Sequence, residues 1–221
     1  LILSNVDLGN PYNDYGREEL VEYLTRQREL ESEDHRVNYS NLGVGLLGFT
    51  LSEIATTSYE ELLQSMIFDK YHMPHSTTNR ALVNNLLVTG LDKNGQGTPN
   101  WDLNVLVAAG GILSSVEDLS QFAKAHFDTL NNELNLTREI TYSDYQGGVQ
   151  LRVGLGWMLK TEDGHQRFWH NGATGGYTSS IQIDVENKNA VVILSNVSGF
   201  SDNRVNIDNL SDRLMVTLDD L

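Results

Sequence analysis

Two short motifs carry side chains that could move protons and hold a substrate. Tyr39-Ser40-Asn41 opens a glycine-rich segment, and His170-Asn171-Gly172 lies much later, in a stretch with strand-like alternation. A phenol, an imidazole and carboxamides can exchange protons with an amide or ester and hydrogen-bond it, which is the chemistry of acyl transfer. Taken alone each triplet is weak evidence, because a tyrosine can be a surface phenol and a strand histidine can belong to the core.

Two other patterns favour simpler interpretations. Residues 43–48 satisfy G-x-G-x-x-G, but a dinucleotide site needs a buried strand before the glycines, and residues 34–38 are charged and polar. Glycines in a helix also permit close packing, which is the preferred interpretation here. His72-Met73-Pro74-His75 has no carboxylate at a familiar ligand spacing, and its proline breaks a helical register, so it indicates a helix-terminating loop. We expect no metal and no cofactor.

Composition excludes several classes of function. The 221 residues include 15 Lys+Arg and 30 Asp+Glu, for a net charge of −15, which opposes binding to nucleic acid or to an anionic membrane surface. Cysteine is absent, so disulfides and cysteine-based metal or nucleophile sites are excluded. The longest apolar run, residues 105–113, is far shorter than the roughly 18 residues that span a bilayer. The chain is typical of a globular protein.

Helices are predicted mainly in the first part of the chain. The 3.6-residue period predicts helices over residues 17–30, 40–54 and 58–68, the last opened by a Ser58–Glu61 capping box. Residues 70–104 are aperiodic and predict a long loop. Ser115 can cap a further helix, and a last helix is expected through residues 207–221. The apolar faces of these two helices are predicted to be Leu119, Phe122, Ala123, His126, Phe127 and Leu130, and Ile207, Leu210, Leu214, Leu218 and Leu221.

Strands are predicted after residue 147, where the hydrophobic period changes from 3.6 to 2. Alternation over residues 153–159 and 179–185 and a β-branched run over 190–194 predict strands, and turn residues at 162–164 and 186–189 predict hairpins. Helices followed by antiparallel strands and a final helix indicate an α+β fold rather than a parallel βαβ sheet. We expect a single domain over 1–221, mainly helical with loops over 1–146, and built of antiparallel strands and a C-terminal helix over 147–221.

Several segments occur in an order that a known superfamily shares. They are Asn10-Pro11-Tyr12-Asn13-Asp14-Tyr15, Tyr39-Ser40-Asn41 with residues 42–48, Ser58-Tyr59-Glu60-Glu61-Leu62-Leu63, Trp101 with residues 108–119, Gly154-Leu155-Gly156-Trp157, and His170-Asn171-Gly172-Ala173-Thr174-Gly175-Gly176-Tyr177. Together they resemble the serine β-lactamase and penicillin-binding-protein superfamily, in its class C and esterase-like branch. The resemblance covers nearly the whole chain and implies a β-lactamase/DD-peptidase-like fold, with an antiparallel sheet flanked by helices.

The resemblance also implies roles for particular residues. Tyr39, Asn41 and His170 would be catalytic, with Tyr39 exchanging a proton with the nucleophile or leaving group and Asn41 binding the substrate's amide. Asn171, Gly172 and Ala173 would bind substrate, and the Ala173 amide would donate to the oxyanion. His170 occupies the position where many relatives have lysine, which favours peptidase or esterase action on D-amino-acid substrates over a dedicated β-lactamase.

One departure from the superfamily concerns the nucleophile. None of the five lysines, Lys70, Lys93, Lys124, Lys160 and Lys188, follows a serine by three positions, so S-x-x-K is absent. We therefore expect the C-terminal portion of a serine hydrolase, inactive alone, that associates with itself or with the missing N-terminal fragment in trans. Its partners would be small-molecule or peptide substrates, and its location extracytoplasmic. The alternative is a non-catalytic module that binds peptidoglycan fragments or proteins.

Overall fold

The computed structural model describes residues 9–26, 37–146 and 149–219. In this part of the chain, helices and loops precede an antiparallel sheet, and a final helix packs on that sheet, so the predicted α+β fold is confirmed. The α-helices are α1 (Arg17–Arg26), α2 (Asn41–Ala55), α3 (Tyr59–Leu63), α4 (Val116–Ala125), α5 (Asn132–Arg138) and α6 (Val205–Asp219). A π-helical turn (Gln64–Phe68) and 3₁₀ turns (Arg80–Leu82, Asn104–Ala109, Asp202–Arg204) complete the helical elements.

The sheet is a six-stranded antiparallel meander whose strands lie in chain order. Its strands are β1 (Tyr142–Gln146), β2 (Val149–Val153), β3 (Met158–Glu162), β4 (His165–Ala173), β5 (Thr178–Asp184) and β6 (Asn189–Ser195). Asp163 and Gly164 both have positive φ and join β3 to β4 by a two-residue turn, as the turn residues predict. One face of the sheet packs on α4, where Ala123, Trp157 and Ile183 form a buried cluster.

Local capping accounts for the starts of the predicted helices. The Ser40 hydroxyl accepts a hydrogen bond from the amide of Gly43 and begins α2, and the Ser115 hydroxyl does the same for Asp118 in α4. The capping box between Ser58 and Glu61 is present in full. The part of the first predicted helix beyond Arg26 and the final Leu221 lie outside the described residues. None of the helices described is long and apolar enough to cross a membrane.

The strand predicted over residues 153–159 is wrong. Gly156 has φ +90°, the Gly154 amide donates to the Trp157 carbonyl, and the chain turns here between β2 and β3. Because the alternation of apolar residues continues through this turn, the sequence pattern is the same as that of one continuous strand. Leu155, at the turn, is exposed, whereas Trp157 is buried. Strand β1 and helix α5 were not predicted, and β1 begins before the expected boundary at residue 147.

Two predicted apolar faces are also partly wrong. Leu130 lies beyond the end of α4 and is 85% exposed, because the helix ends at Ala125 with His126 as its cap. In α6 the fully buried side chains are Ser211 and Met215, while Leu210 and Leu214 are exposed. Polar contacts set this rotation, since Asp212 accepts from Lys160 and Gln182 and Asp219 accepts from Arg167.

Candidate active site

Tyr39 and Asn41 flank the residue that begins helix α2. Ser40 is extended and caps the helix, so the chain enters α2 with Tyr39 just outside it and Asn41 as its first residue. Tyr39 is 62% exposed, and Asn41 is exposed as well. Both polar side chains are therefore accessible to a ligand at the N-terminal end of α2.

His170 in β4 meets Tyr39 across the molecule. The two ring centroids are 6.3 Å apart and the ring planes are tilted by 36°. His170 pairs with Ile181 of β5, and its side chain shares a sheet face with Phe168, which packs against the cluster under α4. Although the two motifs are far apart in the sequence, the fold brings the Tyr39 phenol and the His170 imidazole together at an accessible surface.

Asn171 lies on the other face of β4. Successive side chains of a strand point to opposite faces, and the Asn171 amide donates to Asp208 Oδ2 of α6 at 3.0 Å. Arg167, four positions earlier on the same face, donates to Asp219 of the same helix. The structure therefore does not bring the Asn171 side chain to the Tyr39–His170 pair. It ties β4 to α6 directly behind His170, a contact that no local sequence signal predicts.

Gly172 and Ala173 form the end of β4 next to His170. Gly172 pairs with Ser179, and a Cβ at Gly172 would lie 2.8 Å from Ser179 Oγ, which favours glycine here. Ala173 is exposed and pairs with Thr178. A Cβ at Gly199 would lie 2.7 Å from the Cβ of Ala173, so the loop after β6 closes over the strand end. The backbone beyond His170 is thereby held between β5 and this loop.

An aromatic group supports the turn between β4 and β5. A Cβ at Gly175 would lie 2.6 Å from Trp101 Nε1, and the Trp101 ring contacts Tyr12 edge-on at 5.6 Å and Phe200 at 6.0 Å. Tyr177, in the same turn, donates its hydroxyl to the Val88 carbonyl at 2.6 Å. Burial raises the pKa of Tyr177, so this phenol remains protonated and structural. These partners were missed by motif reasoning, which treated the segments separately.

The other two sequence motifs, the glycines of residues 43–48 and the histidines of residues 72–75, have structural roles. The glycines of 43–48 lie within α2, where Gly45 and Gly48 are buried against the turn Asn104–Ala109. His75 lies 3.4 Å from Asp118, whose carboxylate also accepts from the His75 amide and from Ser76. Two cavities, of about 680 and 330 Å³, lie along α6 and beside Trp101, and neither is lined by Tyr39 or His170. The exposure of Tyr39 places the candidate site at the surface of the described part of the chain.

Comparison with known proteins gives a family and a fold. The family model described as Beta-lactamase matches residues 3–214. No curated protein sequence matches. Three of the solved structures to which the chain is similar are given below. Their sequence identities to this chain are all below 25%, so the similarity shows the fold alone.

The first is the octameric penicillin-binding protein homologue from Pyrococcus abyssi, with 23% identity, a TM-score of 0.70, and coverage of 95% of this chain and 48% of that one. The second is a β-lactamase/D-alanine carboxypeptidase from Pseudomonas syringae, with 17% identity, a TM-score of 0.74, and coverage of 89% and 65%. The third is the D-amino acid amidase from Ochrobactrum anthropi SV3 complexed with D-phenylalanine, with 20% identity, a TM-score of 0.69, and coverage of 92% and 64%. The chain thus spans about half to two thirds of the length of these proteins.

Proposed function

This chain belongs to the β-lactamase family, and on that premise we propose that it is the C-terminal portion of a serine hydrolase, forming one β-lactamase-like domain with its missing N-terminal part. The reaction would proceed through an acyl-enzyme on a D-amino-acid peptide, a β-lactam or an ester. The observation that carries the proposal is the juxtaposition of the Tyr39 and His170 rings at 6.3 Å, at the accessible start of α2. The similarity to a D-amino acid amidase supports the amide substrate class.

Each site residue has a proposed task. Tyr39 exchanges a proton with the nucleophile or the leaving group, and His170 beside it supplies a second titratable group. Asn41 hydrogen-bonds the amide or ester of the substrate. Gly172 lets substrate approach the strand, and the Ala173 amide donates to the developing oxyanion. Asn171 acts on the substrate only indirectly, because its side chain is bonded to Asp208 and fixes β4 against α6.

The nucleophile is assigned to a segment outside this sequence. No S-x-x-K occurs in the 221 residues, and the solved relatives are longer than this chain. Helix α2 carries a stripe of exposed apolar side chains at Val44, Leu47, Leu51 and Ile54, which share one helical face. We propose that this stripe is where the missing segment packs, supplied in trans or replaced by self-association when absent.

The first experiment tests the fragment assignment. Fluorescent penicillin, nitrocefin and p-nitrophenyl esters are offered to the 221-residue chain and to the longer product of the same gene. We expect no acylated serine in the short chain, because acylation needs the nucleophile, and stoichiometric labelling of an upstream serine in the long one. Labelling of any serine within the 221 residues would refute the assignment.

The second experiment tests Tyr39 in the longer protein. Tyr39→Phe should lower kcat/KM by about 10²- to 10⁴-fold, the usual contribution of a general acid or base. Tyr145→Phe is the matched control, because Tyr145 is also strongly exposed but lies on β1. Equal activity of both variants would show that Tyr39 takes no part in the mechanism.

Two further observations test the rest of the proposal. An upstream segment without S-x-x-K would favour the non-catalytic binding module. Fractionation of the producing cells tests the proposed extracytoplasmic location.

A further inference from the structure

A second group of titratable side chains lies at the far end of the sheet from the Tyr39–His170 pair. His165 is the first residue of β4, Asp184 the last of β5 and Asp219 the last of α6. One ligand atom from each lies within 4.8 Å of the others. Five residues of strand separate His165 from His170, which is about 16 Å at the usual rise per residue. The group is therefore distinct from the proposed active site.

Two distances within this group are close to those between the donor atoms of a small metal site. His165 Nδ1 lies 3.4 Å from Asp184 Oδ2 and 3.7 Å from Asp219 Oδ1. The side-chain amide of Asn187 reaches the same point, with its terminal nitrogen 3.0 Å from His165 Nδ1 and 2.8 Å from Asp184 Oδ2. For bonds of about 2.0 to 2.2 Å, the donor atoms of a tetrahedral site lie about 3.3 to 3.6 Å apart.

Burial and charge at this group favour the binding of a cation. The side chains of Asp184 and Asp219 are only 1% and 11% exposed, and Asp219 Oδ1 is buried and accepts no hydrogen bond from the residues that the structure describes. The buried Arg167 guanidinium bonds the other Asp219 oxygen and Glu162. Lys160, 3.9 Å from Glu162, is bonded to Asp212. Arg167 thus faces two carboxylates, those of Glu162 and Asp219, and carboxylates as buried as Asp184 and Asp219 are costly unless cations bind them.

We propose that His165, Asp184 and Asp219 bind a divalent transition cation of the zinc class. A half-rotation of the Asn187 amide about its last bond would present its oxygen as the fourth ligand in place of the nitrogen. A donor set of one imidazole and oxygen atoms suits zinc or cobalt, whereas magnesium and calcium take oxygen donors alone. The cation joins the end of α6 to the adjoining ends of β4 and β5, so its task is structural.

The test uses the 221-residue chain without an affinity tag, stripped with a chelator. Zn²⁺ is titrated in at pH 7.5 by calorimetry, and Co²⁺ is added separately to record visible absorption. We expect one Zn²⁺ per chain and the strong visible bands of four-coordinate Co²⁺. His165→Gln and Asp219→Asn should each weaken Zn²⁺ binding by at least about tenfold, since even changes beside the ligands cost 10- to 100-fold.

The matched control is His75→Gln. His75 also lies 3.4 Å from a buried aspartate, Asp118, but the structure gives it no second carboxylate within the described residues. This variant should bind Zn²⁺ like the parent chain. Absence of stoichiometric binding, binding unchanged by His165→Gln, or equal loss in His75→Gln would each overturn the proposal. If a variant fails to fold by circular dichroism, the Co²⁺ spectrum of the parent chain decides, because absence of the four-coordinate bands refutes the site.

Discussion

Replacing Gly48 by alanine should destabilise the protein, although alanine is the better helix former. Gly48 is buried in α2, and a Cβ there would lie 2.2 Å from the Cβ of Ala108 and 3.2 Å from the Tyr59 ring. The Ala108 atom is attached directly to the backbone, so it cannot rotate away, and the turn Asn104–Ala109 must shift instead. Helix α2 makes its most extensive packing with this turn, and the strain therefore falls on a major contact between helices.

The expected magnitude follows from two opposing effects. Overpacking of a well-packed core costs about 1 to 3 kcal/mol, and removing glycine from a helix interior returns about 1 kcal/mol. Because the clash at Gly48 is severe, we take the upper value and expect a net loss of about 2 kcal/mol. In a chain of this size that lowers Tm by roughly 4 to 8 °C. Gly45→Ala should act in the same direction, since its Cβ would lie 2.6 Å from Leu106 Cδ2.

Gly43→Ala is the matched control in the same helix. Its Cβ would meet only Ser40 atoms at 3.4 Å, an ordinary contact, and the amide that Ser40 caps is kept. This variant should be as stable as the parent or slightly more stable, by up to about 1 kcal/mol. Thermal unfolding followed by circular dichroism or calorimetry compares the three variants. If Gly48→Ala melts at or above the temperature of Gly43→Ala, the interpretation of these glycines as packing residues is wrong.

Two further predictions concern stability. Burial, together with the nearby Arg138 guanidinium, lowers the pKa of His126 to about 3. Between pH 6.5 and 3 the unfolded histidine therefore binds a proton and the folded one does not. The free energy of unfolding should accordingly fall by up to about 1.4 kcal/mol per pH unit as the pH drops from about 6.5 towards 3. Urea unfolding at pH 7, 6, 5 and 4 should show a shallower decline in His126→Gln, and identical slopes would contradict the assignment. Ser58→Ala removes the hydroxyl that caps α3 through the Glu61 amide and should cost about 1 kcal/mol, or roughly 2 to 4 °C in Tm. An unchanged Tm would mean that the capping box contributes nothing measurable.

Local interactions made part of this structure predictable from the sequence. The starts of α2, α3 and α4 follow from serine hydroxyls that satisfy the first free amides of each helix, a signal contained within four residues. The turn at Asp163-Gly164 follows from residues that tolerate positive φ. The order of the Tyr39 and His170 motifs likewise indicated the family that the family model then matched.

The turn at Gly154 shows where local patterns fail. The alternation of apolar residues through 153–159 is the same for a strand and for this turn. Contacts with the end of α5 determine that the chain turns here. A Cβ at Gly154 would lie 2.7 Å from the Thr137 carbonyl at the end of that helix, and the next amide, of Leu155, donates to the same carbonyl. A contact with another element therefore decides the backbone path.

The side-chain groups of functional interest depend on tertiary structure in the same way. The Tyr39 and His170 rings meet only because the tertiary fold brings the start of α2 to β4, and the strand parity of β4 turns Asn171 away from them towards Asp208. His165, Asp184 and Asp219 come from three elements, and their convergence depends on the register of β4 with β5 and on the rotation of α6. The sequence determines which groups are available and which elements carry them. Register and helix docking, which are set by contacts between residues distant in the chain, determine which groups meet.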